Sequence, residues 1–128
     1  EEIAIRRVKN AAKIIKTQYD FLEKSRDCFT GEIITRSKRL DVKGRDVIII
    51  DDIISTGKTS ANAAKILKTQ GARRVFLGAS HALLLGDSVK ILKESGVDQI
   101  VGTDSVVNDY AKVSVAPILA RVLKEDSS

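Results

Sequence analysis

The chain has 128 residues, a formal net charge of +5 and one cysteine, so it fits a single domain without an internal disulfide framework. Its composition, 43% apolar and 30% charged, is typical of a folded globular protein. No apolar run reaches the roughly 18 residues of a membrane span, and at 4% aromatic residues are too scarce for base-stacking platforms. We therefore expect a cytoplasmic protein that binds neither membrane nor nucleic acid.

The first third of the chain predicts one helix followed by short β elements. Apolar residues recur at helical spacing over residues 2–16 and predict an amphipathic helix. Residues 19–23 and 32–36 are strand candidates, the second rich in β-branched side chains. The polar stretch 24–31 between them predicts a loop, and residues 41–46 predict a turn.

From residue 47 onward, predicted strands alternate with predicted helices. The β-branched run 47–50 is typical of a strand buried on both faces, as in a parallel sheet. The elements after it are, in chain order, helix 59–70, strand 75–79, helix 87–94, strand 99–103 and helix 114–124. This alternation predicts βαβ units and an α/β fold with a parallel sheet flanked by helices.

The segment that follows the first buried strand is the most informative part of the sequence. Ligands of open α/β sheets bind beyond the carboxyl ends of the strands, which is where we expect Asp51 and Asp52. Two adjacent carboxylates need sugar hydroxyls, a divalent cation or a cationic side chain to neutralise them. The hydroxyls of Ser55, Thr56 and Thr59, with backbone N–H groups at a helix start, suit a phosphate monoester. The spacing therefore predicts a site for a ribose phosphate.

Two other interpretations of this segment were considered. Gly57-Lys58-Thr59 resembles the end of a nucleotide-binding P-loop, but that motif needs a glycine five positions before Gly57. Position 52 is Asp, whose charge would repel a triphosphate. The other alternative is a plain strand–turn–helix connection with an incidental pair of aspartates.

Taken together, an apolar strand, two acidic residues, two apolar residues and Ser-Thr-Gly-Lys-Thr resemble the PRPP-binding motif of type I phosphoribosyltransferases and their relatives. The rest of the chain is similar to ribose-phosphate pyrophosphokinases (PRPP synthetases) of archaeal-like type. Lys24 with Arg26, and the segment Ser-Val-Ala-Pro at 114–117, narrow the resemblance to the synthetases. It implies a phosphoribosyltransferase-like fold with a five-stranded parallel sheet. The stretches that carry it, besides 51–59, are 19–26, 40–47, 80–86, 102–104 and 112–117.

The resemblance also implies a reaction and residue roles. The family transfers pyrophosphate from Mg-ATP to the anomeric hydroxyl of ribose 5-phosphate, giving PRPP and AMP. By motif position, the resemblance implies that Asp51 and Asp52 bind the ribose and Mg²⁺. It implies that the 5-phosphate is bound by the loop of Ser55, Thr56, Gly57, Lys58 and Thr59. The implied catalytic cations are Lys24 and Arg26. Cations over the migrating group suit phosphoryl-type transfer, because its catalysis is mostly positioning and electrostatic stabilisation.

The chain departs from the family in two respects. Many synthetases carry Gly where Lys58 stands, so Lys58 either contacts the phosphate or lies in solvent; His81 we leave out of the catalytic set. The family also has an N-terminal domain with most of the ATP contacts and a metal-site His. The chain lacks methionine and begins on a helical pattern, so we expect residues 1–128 to be a single domain, the C-terminal half of a synthetase. We expect it to be inactive alone and its parent to be a homo-oligomer.

Two functions from other classes remain open at this point. A purine or pyrimidine phosphoribosyltransferase would use the same loop, but it needs a hood that recognises the base, and none is evident. A non-catalytic PRPP-binding regulator would keep residues 51–59 and lose the loop cations. Lys24 and Arg26 argue against that regulator.

Overall fold

The computed structural model describes residues 2–126, apart from the side chain of Ile34, and within that stretch the chain forms helices around two β-sheets. The helices are α1 (Glu2–Ile15), α2 (Lys58–Thr69), α3 (Ser88–Glu94) and α4 (Ala116–Asp126). The strands are β1 (Lys24–Arg26), β2 (Ile33–Thr35), β3 (Asp46–Ile54), β4 (Arg74–Ala82), β5 (Gln99–Thr103) and β6 (Ala111–Val113). In this part of the chain, no helix combines the length and the apolar character needed to cross a bilayer.

The main sheet is parallel throughout, in the order β3-β4-β5-β6. This confirms the predicted α/β class, but the predicted fifth parallel strand is wrong for residues 2–126. Residues 19–23 form no strand, and β2 pairs antiparallel with β1 in a separate sheet. Strand β6 was missed because three residues are too few to show a period.

The predicted loop 24–31 is instead the first strand and the turn of a hairpin. Lys24 pairs with Thr35 across the two strands. The carboxylate of Asp27 accepts the backbone N–H groups of Phe29 at 2.8 Å and Thr30 at 2.9 Å, which closes the turn. Polar residues therefore mark the turn correctly here, while the short strand beside them has no apolar pattern to reveal it.

The core lies between the main sheet and helices α2 and α3. Alternate residues of β4 are buried, as expected for a strand with one face against helices. The tightly buried members of the core cluster are Ile54, Ala61, Ala64, Leu67, Val75, Leu77, Leu92, Val97 and Ile100. This packing fixes the start of α2 and all of α3 relative to the carboxyl end of β3.

Strand β3 is longer than the sequence predicted, and this changes the setting of the two aspartates. The predicted strand 47–50 extends to Asp46–Ile54, so Asp51 and Asp52 lie inside the strand rather than after it. Asp51 pairs with Ala79 in β4 and is half-buried, whereas Asp52 is exposed. Because β3 ends the sheet order, its carboxyl end is open on the side away from β4.

Candidate active site

A cavity of about 230 Å³ opens at the carboxyl end of β3. Its lining comes from the end of β3, from the loop and first turn of α2, and from one residue of β1. The lining residues are Lys24, Asp51, Asp52, Ile53, Ile54, Ser55, Thr56, Gly57, Lys58, Thr59 and Ser60. The structure thus brings Lys24 to both aspartates and to the whole loop 55–59. Arg26, the other predicted cation, does not line the cavity.

At Gly57 the loop passes so close to α3 that the position leaves little room for a side chain. Gly57 has φ +81°, and a Cβ built on it would lie 3.2 Å from Leu92 Cγ. Its carbonyl accepts the N–H of Ala61 at 2.8 Å and so begins α2. The first N–H groups of a helix have no acceptor within it and carry its positive dipole end. The start of α2 therefore presents backbone donors to the cavity, as an anion site requires.

The two aspartates have opposite electrostatic environments. Burial raises the pKa of the Asp51 carboxyl, with a further increase from the Asp52 carboxyl beside it, while the charge of Lys24 opposes the rise. The Asp52 pKa is lowered, first by its contact with the Asp51 carboxyl, then by the Ile53 N–H, which donates to its Oδ1 at 2.8 Å. Two adjacent carboxylates, one of them half-buried, favour a cation or hydroxyl donors placed between them.

Arg7 adds a second cation that sequence reasoning missed. Its Nη2 atom lies 3.9 Å from Asp52 Oδ2, and it reaches the strand from α1. Arg7 lines a larger cavity of about 830 Å³, between α1, the segment that follows it and β3. That cavity shares Lys24, Asp51 and Asp52 with the smaller one, so the aspartates lie where the two cavities meet. Helical periodicity places Arg7 on α1 but does not show which strand residue it faces.

Asp51 and Asp52 are the candidate ligands of this site for Mg²⁺. Within residues 2–126, no three His, Cys, Asp or Glu side chains gather closely enough to hold a metal ion. Mg²⁺ is usually held by one or two carboxylates, and water and substrate oxygens complete its shell. Asp51 and Asp52 fit that incomplete type of site, and they are the residues that would hold the ion.

His81 belongs to a separate polar cluster. It lies in β4, opposite Ile53 of β3, and it is not among the residues that line the smaller cavity. Its Nδ1 atom is 2.8 Å from Ser105 Oγ, and the hydroxyls of Ser105 and Thr103 both donate to the Ser80 carbonyl. We keep His81 out of the catalytic set.

Comparison with known proteins places this geometry in a family. Residues 37–121 match the family described as phosphoribosyl synthetase-associated domain. The chain belongs to this family. The match covers β3, loop 55–59 and α2, but not Lys24 of β1 or Arg7 of α1, and it agrees with the α/β fold.

Relatives with known names point the same way. The chain is 41% identical to a ribose-phosphate pyrophosphokinase of Methanopyrus kandleri over 91% of its own length and 40% of the relative's. It is 43% identical to ribose-phosphate pyrophosphokinase 2 of Archaeoglobus fulgidus over 91% of its length and 43% of the relative's. The crystal structure of phosphoribosylpyrophosphate synthetase from Mycobacterium smegmatis has a TM-score of 0.64 and 29% identity, and the match covers 92% of this chain and 41% of that one. The chain therefore spans less than half the length of these relatives.

Proposed function

We propose that this chain is the C-terminal, ribose-5-phosphate-binding half of a two-domain PRPP synthetase of archaeal type. The parent enzyme would transfer pyrophosphate from Mg-ATP to the anomeric hydroxyl of ribose 5-phosphate, as a ribose-phosphate diphosphokinase in the cytoplasm. Support comes from the names of the archaeal relatives and from the share of their length that the chain spans. Residues 1–128 then form one phosphoribosyltransferase-like domain.

One observation carries the proposal: a single cavity is lined both by a pair of carboxylates and by the loop at the N-terminus of α2. Ribose 5-phosphate has a vicinal diol at one end and a phosphate monoester at the other. Asp51 and Asp52 accept hydrogen bonds from the ribose hydroxyls. The 5-phosphate lies against the loop, where the hydroxyls and N–H groups of Ser55, Thr56 and Thr59 donate to it, with Gly57 and Lys58 completing the turn.

The cations of β1 act on the transferred group. Lys24 lines the cavity beside the aspartates, and its charge acts on Asp51. Arg26 is two residues further along the same strand, so both side chains leave the same face of β1. We assign both residues to stabilising the charge that spreads over the migrating pyrophosphate.

Magnesium and the missing half of the enzyme complete the site. Asp51 and Asp52 are the residues of this chain that would hold Mg²⁺, which would supply positive charge to neutralise the phosphates of the nucleotide. A further N-terminal domain supplies most ATP contacts, and the parent works as a homo-oligomer. This chain alone is therefore proposed to bind ribose 5-phosphate without making PRPP.

Calorimetry with ribose 5-phosphate and Mg²⁺ tests the binding step. The chain should bind the sugar phosphate, and Asp52→Ala should weaken binding about 10–100-fold, the value of a lost hydrogen bond to a charged group. Asp109→Ala is the matched control, because Asp109 is exposed and lies outside the cavity. Absence of binding at millimolar ribose 5-phosphate would contradict the proposal.

An assay for AMP release from ATP and ribose 5-phosphate separates the candidate functions. We expect no AMP from the 128-residue chain and steady AMP formation by the longer protein that carries it. A phosphoribosyltransferase would release pyrophosphate from PRPP and a base instead, and a regulator would do neither. AMP formation by this chain alone would overturn the division of labour between the two halves.

A further inference from the structure

Two neighbouring arginines of α1 have different surroundings. The Arg6 side chain is 71% exposed, and its Nη2 atom lies 3.7 Å from Glu2 Oε1 on the same helix. The Arg7 side chain is only 28% exposed, and it lies over β3 beside Asp52. The other residues of α1 that are at least half-buried are apolar, namely Ile5, Val8, Ala11 and Ala12. Arg7 is thus a charged residue on the covered face of the helix, and its place there puts it against the site.

Each carboxylate of the pair has a cation from a different element. Lys24 of β1 lines the smaller cavity together with Asp51, and Arg7 of α1 lies 3.9 Å from Asp52. The distance of 3.9 Å between Arg7 Nη2 and Asp52 Oδ2 is too long for a hydrogen bond. Arg7 consequently acts on Asp52 through its charge, and both Asp52 oxygens remain able to accept hydrogen bonds from a ligand.

We propose that Arg7 is a positioning residue, which holds the Asp52 carboxylate in place to accept the ribose hydroxyls. The inference rests on the proposed function, because it names a residue that serves the same binding site. In the chain without ligand, the guanidinium supplies a positive charge beside Asp52 Oδ2, while the Ile53 N–H donates to Asp52 Oδ1. When the sugar binds, Asp52 is already oriented, so less ordering is left for the binding step.

A plain structural role for Arg7 makes a different prediction. If the ion pair only ties α1 to the sheet, its loss would lower the free energy of unfolding. Ribose 5-phosphate affinity would then fall only as far as the folded fraction falls. The test therefore uses Arg7→Met and Arg6→Met, which remove the same charge from adjacent positions of one helix. Ribose 5-phosphate affinity is measured by calorimetry and unfolding by urea, at the same pH and Mg²⁺ concentration.

We expect Arg7→Met to weaken ribose 5-phosphate binding about 2–5-fold, the range for loss of one partly screened charge interaction. Arg6→Met should bind like the unmodified chain, and Arg7→Lys should recover most of the loss because it keeps a cation at that place. Combining Arg7→Met with Asp52→Asn should give no further loss beyond Asp52→Asn alone, since Arg7 acts through Asp52.

The outcomes separate this inference from the proposed function. If the unmodified chain does not bind ribose 5-phosphate, the proposed function fails. If it binds and Arg7→Met binds equally well, the function stands and the inference is wrong. Adding Arg7→Met to the unmodified chain and to the Asp52→Asn variant could also give equal losses. That result would overturn the inference, because it would show a role that does not pass through Asp52.

Discussion

Replacing Gly57 by alanine tests how loop 55–59 is held against α3. The residue has φ +81°, and a left-handed conformation costs a residue with a Cβ about 1–2 kcal/mol. The added Cβ would also lie 3.2 Å from Leu92 Cγ and 3.4 Å from Leu92 Cδ1. Forcing a methyl group into a packed core costs about 1–3 kcal/mol more. The lower entropy of the unfolded alanine chain returns about 0.4–1 kcal/mol. Gly57→Ala should therefore destabilise the chain by about 2–3 kcal/mol.

Gly44→Ala is the matched control for the backbone strain. Gly44 has φ +70°, and a Cβ built there meets nothing within 4 Å. It should cost only about 1 kcal/mol, the strain less the entropy term. Both free energies of unfolding come from urea titration followed by circular dichroism, and the difference between them measures the contact with α3. Equal losses within about 0.5 kcal/mol would refute the argument from close approach.

A double-mutant cycle with Leu92→Ala identifies the neighbour. Leu92 is fully buried, so Leu92→Ala alone should cost about 2–5 kcal/mol. That change removes Cγ and Cδ1, and the remaining neighbour of a Gly57 Cβ is Ser88 Cβ at 3.4 Å, an ordinary contact. The double variant should thus be about 1 kcal/mol more stable than the sum of the single effects. Strict additivity would show that Leu92 is not the obstacle.

Two further predictions concern charge. The Val75 N–H at 2.7 Å and the Lys68 ammonium at 3.0 Å donate to the Asp98 carboxylate and hold its pKa below the usual range. The charged Asp98 therefore contributes its full stabilisation of the fold above the unfolded pKa of about 3.9. This contribution is lost as the pH falls through the lower pKa of the folded state. Urea titrations from about pH 6 to pH 3 should show a smaller loss of stability for Asp98→Asn than for the unmodified chain, and parallel curves would contradict this. In the two-domain enzyme proposed above, Lys24→Ala should lower kcat far more than it raises KM, while Lys65→Ala, an exposed change on α2, should alter neither. A rise in KM alone would contradict the role proposed for Lys24.

The position of the site in the fold follows from the order of elements along the chain. A strand, a short polar loop and a helix follow each other without interruption from Asp46 to Thr69. The strand delivers Asp51 and Asp52 on adjacent residues, and the helix start delivers donors a few residues later. All contacts inside this unit are local in sequence, which is why the short motif at 51–59 is enough to predict them. Lys24 is brought in from a distant element.

Much of the fold was predictable for the same reason. Helices 59–70 and 87–94 were predicted within one residue of α2 and α3, and strand 99–103 matches β5. These elements are long enough for the spacing of their apolar residues to distinguish a helix from a strand. The errors fall where no period exists, in the three-residue strands β1 and β6 and in the polar end of β3, whereas the strand predicted at 32–36 matches β2. Such strands exist because neighbouring strands offer hydrogen bonds, and no single segment of sequence records the neighbour.

The sequence alone determined the α/β class and the strand–loop–helix unit that joins the acidic pair to loop 55–59, because each depends on residues close together in the chain. The modest charge of +5 and the scarcity of aromatic residues favour a small anionic ligand over nucleic acid. Only the tertiary structure decided that Lys24 lines the cavity while Arg26 does not, and that Arg7 faces Asp52. Those facts depend on how a hairpin and a helix lie against β3, which is settled by packing between segments far apart in sequence.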